Sequence, residues 1–276
     1  MLKISWILLF SSLIAQPAAT QVRYGNNSKA GRYVAVGNIK LYCEIYGKGD
    51  PLLLIHKNGG SIEDFSNNIP HFAGLYRVIA VDSRAHGKSA DAGDSLTFEM
   101  MADDFNALLD SLHLDNCYVI GWSDGGISGL LLAIRHPGKV RKLAITGANL
   151  WPDTTAITSY VFHKLIAESN RLHALPATLE NRNALKINDL NLLEPHIRLS
   201  QLEMIQCPTL VIGGDHDVIP VLHTALIAQH IKLSDLWIIP DSGHSTPVYK
   251  KDQFNLIVTG FFQRPYRKIE GEDTFN

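Results

Sequence analysis

The sequence predicts an α/β protein in which a mostly parallel central sheet is flanked by helices on both faces. Two observations carry this reading. Short, continuous apolar runs rich in Val, Ile and Leu alternate with longer stretches of helical period, the pattern of strands buried on both sides. Strict polar–apolar alternation, the mark of a sheet wet on one side, is confined to the first strands.

The elements follow in order. "QVRYGNNSKAG" is polar and reads as loop. "RYVAV" and "IKLYCEIYG" alternate and are separated by Gly37-Asn38, a pair that favours the tight turn of a β-hairpin. This hairpin adds antiparallel strands at one edge. "LLLIH", "YRVIAVD", "NCYVIGW", "VRKLAITG", "PTLVIGG" and "DLWIIP" are the apolar strands that follow. Between and after them, "LTFEMMADDFNALLDSLHL", "ISGLLLAIRHPG", "VLHTALIAQHI" and "YKKDQFNLIVTGFFQ" carry apolar residues at i, i+3, i+4 and read as helices. The core is expected over 31–149 and 206–265. Residues 150–205 break the rhythm, with helical periodicity as in "AITSYVFHKLIAESNRLHAL" and no strand. An insertion at the carboxyl edge of a parallel sheet is placed to form a small helical lid; the other reading is a helical excursion that completes the core.

The N-terminus differs from the rest. Lys3 precedes an apolar run from Ile4 to Ile14, and small residues follow at Ala15, Ala18 and Ala19. The run is shorter than the ~20 residues that span a bilayer, which argues against stable membrane insertion. It fits a secretory signal peptide over residues 1–20 and predicts an exported protein, periplasmic or secreted. Cys43, Cys117 and Cys207 each lie in or beside an apolar strand and read as small buried hydrophobes. A formal net charge of -2 with 19% charged residues offers no electrostatic reason to expect nucleic acid.

Chemistry concentrates at "VIGWSDGGISG". Here a strand stops at Ser123 and a helix begins, with Gly121 and Gly125 leaving room for a sharp turn. The helix N-terminus presents free N–H groups and a positive dipole end to any developing oxyanion. A serine hydroxyl is a weak nucleophile and needs a base and a group that orients the base. His244 in "PDSGHST" and Asp217 in "GGDHDVIP" both follow predicted parallel strands, on the same sheet edge as Ser123. Asp215 is the competing acid.

On these residues the chain resembles the alpha/beta-hydrolase fold family from about Gly31 onward. The matching segments are "LLLIHKNGG", "AVDSRAHGKS", "GWSDGG", "GGDHD" and "SGH". The resemblance implies Ser123 as nucleophile, Asp217 as acid and His244 as base. It also implies an oxyanion hole made by the backbone N–H groups of Asn58 and Asp124. "GWSDGGI" and "ITGANLWPD" resemble a branch that includes biphenyl-hydrolase-like and valacyclovir-hydrolase-like enzymes. In that branch an acidic residue beside the nucleophile can pair with the ammonium of an amino-acid ester. Asp124 has that place here, and the other reading is that it points back and ties down the elbow.

Lys57 stands where the family usually has glycine, which puts the Asn58 N–H in question unless the local backbone is ordinary. Its side chain is either solvated or free to meet an anionic substrate. Asp124, Lys57 and Trp122 are the expected substrate contacts. Asp82 and Arg84 read as loop-fixing, and His56 and His86 as structural unless they line the site. No metal or organic cofactor is implied, and the expected partner is a small-molecule substrate. The function expected is hydrolysis of a small carboxylic ester through an acyl-enzyme. Amidase, aminopeptidase or carbon–carbon hydrolase chemistry on the same triad is the alternative, as is a fold member that binds a small ligand without turnover.

Overall fold

The computed structural model describes residues 22–270, 273 and 274, so the expected signal segment lies outside the described residues. The strands are β1 (Gly31–Val36), β2 (Ile39–Tyr46), β3 (Pro51–Ile55), β4 (Arg77–Val81), β5 (Cys117–Trp122), β6 (Val140–Thr146), β7 (Thr209–Gly214) and β8 (Ser234–Ile239). The helices are α1 (Ile69–Ala73), α2 (Phe98–Ser111), α3 (Asp124–Arg135), α4 (Ser159–His173), α5 (Leu179–Leu193), α6 (Leu199–Leu202), α7 (Val221–His230), α8 (Thr246–Tyr249) and α9 (Lys251–Gln263).

All eight strands join one sheet in the order β1-β2-β4-β3-β5-β6-β7-β8. Only β2 runs against its neighbours; the rest pair in parallel. The edge hairpin closes with Val36 opposite Ile39, leaving Gly37 and Asn38 as its turn, and Gly37 takes the positive φ of 52° that such a turn requires.

Alternation along each strand divides the core into two layers. Leu53, Ile55, Val119 and Ile145 pack on one face with Phe105 of α2, Leu130 of α3 and Ile227 of α7. Leu52, Leu54, Ile120 and Ile212 pack on the other with Phe72 of α1 and Phe254 and Phe261 of α9. Cys43, Cys117 and Cys207 are unpaired and buried, as small hydrophobes would be. Among the described residues no helix is long and apolar enough to cross a membrane.

Glu44 of β2 is fully buried. Its two carboxylate oxygens accept hydrogen bonds from the Gly25 N–H (2.8 Å), the Asn27 N–H (2.7 Å), the Tyr42 hydroxyl (2.9 Å) and the Tyr46 hydroxyl (2.7 Å). The polar stretch before β1 is therefore tied to the sheet.

The chain leaves β3 for β4 on one side and returns to place β5 on the other. That reversal opens a crevice beyond the carboxyl ends of β3 and β5. Residues 150–205 contain α4, α5 and α6 and no strand, and they stand over this crevice. α4 and α5 bury little, with Leu172 the only fully buried residue of α4 and Asn188 and Leu190 those of α5. Polar contacts hold α5 instead. The Lys186 ammonium donates to Asp91 (2.7 Å) and to the Gly93 carbonyl (2.6 Å).

Candidate active site

Ser123 occupies the single residue between β5 and α3, at φ 56° and ψ -118°. Side chains rarely adopt this conformation, and surrounding hydrogen bonds hold it. The Ser123 N–H donates to the Thr146 carbonyl (2.8 Å), and the Ser123 carbonyl accepts from the N–H groups of Gly126 (2.7 Å) and Ile127 (3.0 Å). The turn is tight enough to demand glycine on both sides. A Cβ on Gly121 would lie 2.2 Å from the Gly125 carbonyl oxygen, and one on Gly125 2.0 Å from that of Ile55.

His244, beyond β8, brings its Nε2 to 3.0 Å from the Ser123 Oγ and its Nδ1 to 2.7 Å from Asp217 Oδ1. Asp217 lies beyond β7, and its carboxylate is inaccessible to solvent. It also accepts the Ile219 N–H at 3.1 Å. With Nδ1–H held by a carboxylate, Nε2 is left to accept the serine proton. Asp215 does not compete. It accepts the Ser242 N–H at 3.0 Å and faces His216 (2.8 Å), on the solvent side.

Two backbone donors flank the serine. Among the described residues, neither the Asn58 N–H nor the Asp124 N–H has a backbone acceptor. The Lys57 carbonyl accepts from His56 Nδ1–H (2.7 Å) and from the Gly60 N–H (3.1 Å). Because a trans peptide points its N–H opposite its C=O, these bonds aim the Asn58 N–H away from them. His56 Nε2 accepts the Ser83 N–H at 3.0 Å, and burial pushes this imidazole down to about 3, so it stays neutral. Lys57 itself has no positive φ; the left-handed turn falls at Gly59. The lysine is therefore tolerated in an ordinary backbone.

Comparison with known proteins bears on the fold. A model of the alpha/beta hydrolase fold matches residues 50–171. The serine hydrolase BPHL of Homo sapiens is 29% identical over 93% of this chain and 95% of its own length. The 2-hydroxymuconate semialdehyde hydrolase of a Pseudomonas strain is 27% identical over 86% of this chain and 95% of its own. Among solved structures, Est816, described as an N-acyl homoserine lactone degrading enzyme, superposes with a TM-score of 0.69 at 26% identity, over 83% of this chain and all of its own.

The chain has the alpha/beta-hydrolase fold.

This hydrolase carries a cavity of about 230 Å³ at the serine. Ile157, Val161, Leu165, Val218 and Ile219 form an apolar wall, and Asn58, Asn149 and Asn191 face it with Ser123 and His244. Asp124 is only 1% exposed. Its Oδ2 accepts from the Asn58 amide (2.7 Å) and the Asn191 amide of α5 (3.3 Å), while its Oδ1 is buried with no partner. The Asn58 amide also donates to the Ile187 carbonyl (2.9 Å). Burial pushes the Asp124 carboxyl up to about 6, against the pull of the two amides.

Two expected contacts are corrected: Asp124, buried behind the Asn58 and Asn191 amides, and Trp122 both fall outside the cavity's lining. Trp122 is 1% exposed and is not among the cavity's lining residues. As the last residue of β5 it follows Ile120 into the opposite core layer. Its indole N–H donates to the His244 carbonyl at 2.9 Å, so it braces the histidine loop. Lys57 does line the cavity, but its ammonium pairs with Asp64 at 3.2 Å and sits 5.6 Å above the Trp122 ring. It is neither freely solvated nor an unpaired cation. The loop residues behave as read from sequence: Asp82 accepts the Ile62 and Lys88 N–H groups (2.8 Å each), and Arg84 grips Asp104. His86 is buried and its Nδ1–H donates to the Arg84 carbonyl at 2.8 Å. Asn149 and Asn191 were not predicted; single asparagines in aperiodic segments carry no signal until the fold places them.

Proposed function

We propose that this chain is a serine hydrolase that cleaves small carboxylic esters through an acyl-enzyme. The observation that carries the reading is the unbroken chain Asp217–His244–Ser123, 2.7 and 3.0 Å, at a strained elbow opening into a cavity. Ser123 Oγ attacks the ester carbonyl carbon as its proton passes to His244 Nε2. The oxyanion is met by the Asn58 and Asp124 N–H groups, each such donor worth about 2.7–4 kcal/mol in the transition state. His244 then gives its proton to the departing alkoxide. A water molecule, deprotonated by His244, attacks the acyl carbon, and the proton returns to Ser123 Oγ as the carboxylic acid leaves. Asp217 holds the imidazole in the required tautomer throughout.

The small cavity restricts the substrate to a short acyl group. The acidic Asp124 directly after the nucleophile supports a further specification, an amino-acid ester whose ammonium is drawn by that charge from the cavity side of the Asn58 and Asn191 amides. A second reading, carbon–carbon bond hydrolysis on the same triad, draws support from the likeness to the 2-hydroxymuconate semialdehyde hydrolase. The apolar run from Ile4 to Ile14 supports action after export, which the N-terminal sequence of the mature protein tests.

The deciding experiment is intact-mass measurement after exposure to a small fluorophosphonate, for wild type and Ser123→Ala, followed by a screen of short esters. One adduct on wild type alone is expected. Labelling of Ser123→Ala, or ester turnover that survives in it, would refute the assignment.

A further inference from the structure

Asn149 is the polar lining residue whose chemistry remains unspent. It follows β6, is 4% exposed and borders the serine cavity. Asn58 and Asn191 each donate an amide N–H to Asp124. Asn149 instead donates Nδ2–H to the Trp151 carbonyl at 3.0 Å. Among the described residues its Oδ1 accepts no hydrogen bond. Rotating the amide to reverse the two atoms would set oxygen against the Trp151 carbonyl oxygen, so the orientation is fixed by its own partner.

The segment that carries it is also fixed. The Leu150 N–H donates to His223 Nε2 at 3.0 Å. The Trp151 ring stands edge-on to His223, centroids 4.8 Å apart, and its indole N–H donates to Thr155 Oγ1 at 2.7 Å. Burial pushes the His223 imidazole down to about 4, which keeps that nitrogen an acceptor at neutral pH. Two residues earlier, Gly147 lies against the catalytic imidazole, where a Cβ would come within 2.7 Å of His244 Cε1. Asn149 is thus a pre-positioned neutral acceptor beside the reacting centre.

We propose that Asn149 is a specificity-determining residue that accepts a hydrogen bond from a hydroxyl or amine carried close to the scissile carbonyl. The inference rests on the proposed ester hydrolysis and adds to it the class of substituent that is read. An acceptor with no protein partner penalises a substrate that buries it beneath a methyl group and favours one that brings a donor. In a cavity this small, any substituent that reaches Asn149 lies within a few bonds of the carbonyl. Asn149 thus distinguishes a neutral donor from a methyl group of similar size.

The test compares ethyl lactate with ethyl isobutyrate, and 2-hydroxyethyl acetate with propyl acetate, in wild type and Asn149→Leu. The readout is the ratio of kcat/KM within each pair. In wild type the hydroxyl-bearing ester should be preferred roughly tenfold in at least one pair, the effect of one hydrogen bond. Asn149→Leu should bring that ratio near unity. Equal ratios in wild type and Asn149→Leu for both pairs would overturn the inference while leaving the esterase reading standing. Should wild type turn over no ester and take no fluorophosphonate label, the proposed function falls. Binding of lactamide against isobutyramide, read as a shift in Tm, then decides Asn149 alone: a lactamide preference lost in Asn149→Leu supports it, and no preference in wild type refutes it. If Asn149→Leu does not fold, Asn149→Ala replaces it in both measurements.

Discussion

Replacing Ser123 by glycine and, separately, by alanine isolates the strain stored at the elbow. Both variants lose the hydroxyl and its hydrogen bond to His244, so that loss cancels in the comparison. Alanine must still adopt φ 56° and ψ -118°, a conformation that costs a residue with a Cβ about 1–3 kcal/mol. Glycine escapes this cost but brings about 0.5–1 kcal/mol of extra backbone entropy to the unfolded chain. Ser123→Gly should therefore be more stable than Ser123→Ala by about 0.5–2 kcal/mol, or a few degrees in Tm for a chain of this size. Paired urea titrations and thermal melts of the two inactive variants measure the difference. An alanine variant more stable than the glycine variant by about 0.5–1 kcal/mol, the glycine entropy term alone, would show that the elbow stores no strain.

Asp217→Asn should lower kcat for ester hydrolysis by about 10⁴ with little change in KM, because an amide can donate to His244 Nδ1 and leave the proton on the wrong nitrogen; a loss below tenfold would remove Asp217 from the triad. Asp124→Asn should change how stability depends on pH. The Asp124 carboxyl stands at about 6 in the folded chain against ~3.9 unfolded, so the folded state binds its proton more tightly. Its favourable contribution is fully present below about pH 4 and disappears as pH rises through about 6, an effect on the order of 3 kcal/mol. Wild-type stability measured relative to the asparagine variant should therefore fall between those limits, and a flat difference would refute the burial argument.

Ser123, Asp217 and His244 were legible in sequence because each follows an apolar run that could only be a parallel strand. Parallel strands deliver their carboxyl ends to one edge. Asn58 was read instead from the resemblance of "LLLIHKNGG" to the family's oxyanion loop. What period and position cannot convey is the direction of a side-chain amide or the identity of residues that helices bring down from above. Asn191 reaches Asp124 from α5, and Asn149 owes its role to which of its two amide atoms meets Trp151. Trp122 was misplaced by its nearness in sequence to the serine. Strand alternation, applied strictly, sends it to the face opposite the cavity.

The four donors around Glu44 bear on how far the chain can be trimmed before β1. Two of them, the Gly25 and Asn27 N–H groups, belong to residues that precede the first strand. A protease that cut beyond Asn27 would remove both and leave a fully buried carboxylate with only two tyrosine hydroxyls, a deficit of several kcal/mol for a charge out of reach of water. Maturation near Ala19 or Thr20 would spare this anchor with a few residues of slack. The anchor would therefore set an inner boundary for any such cut, and the hairpin edge of the sheet depends on a stretch outside its strands.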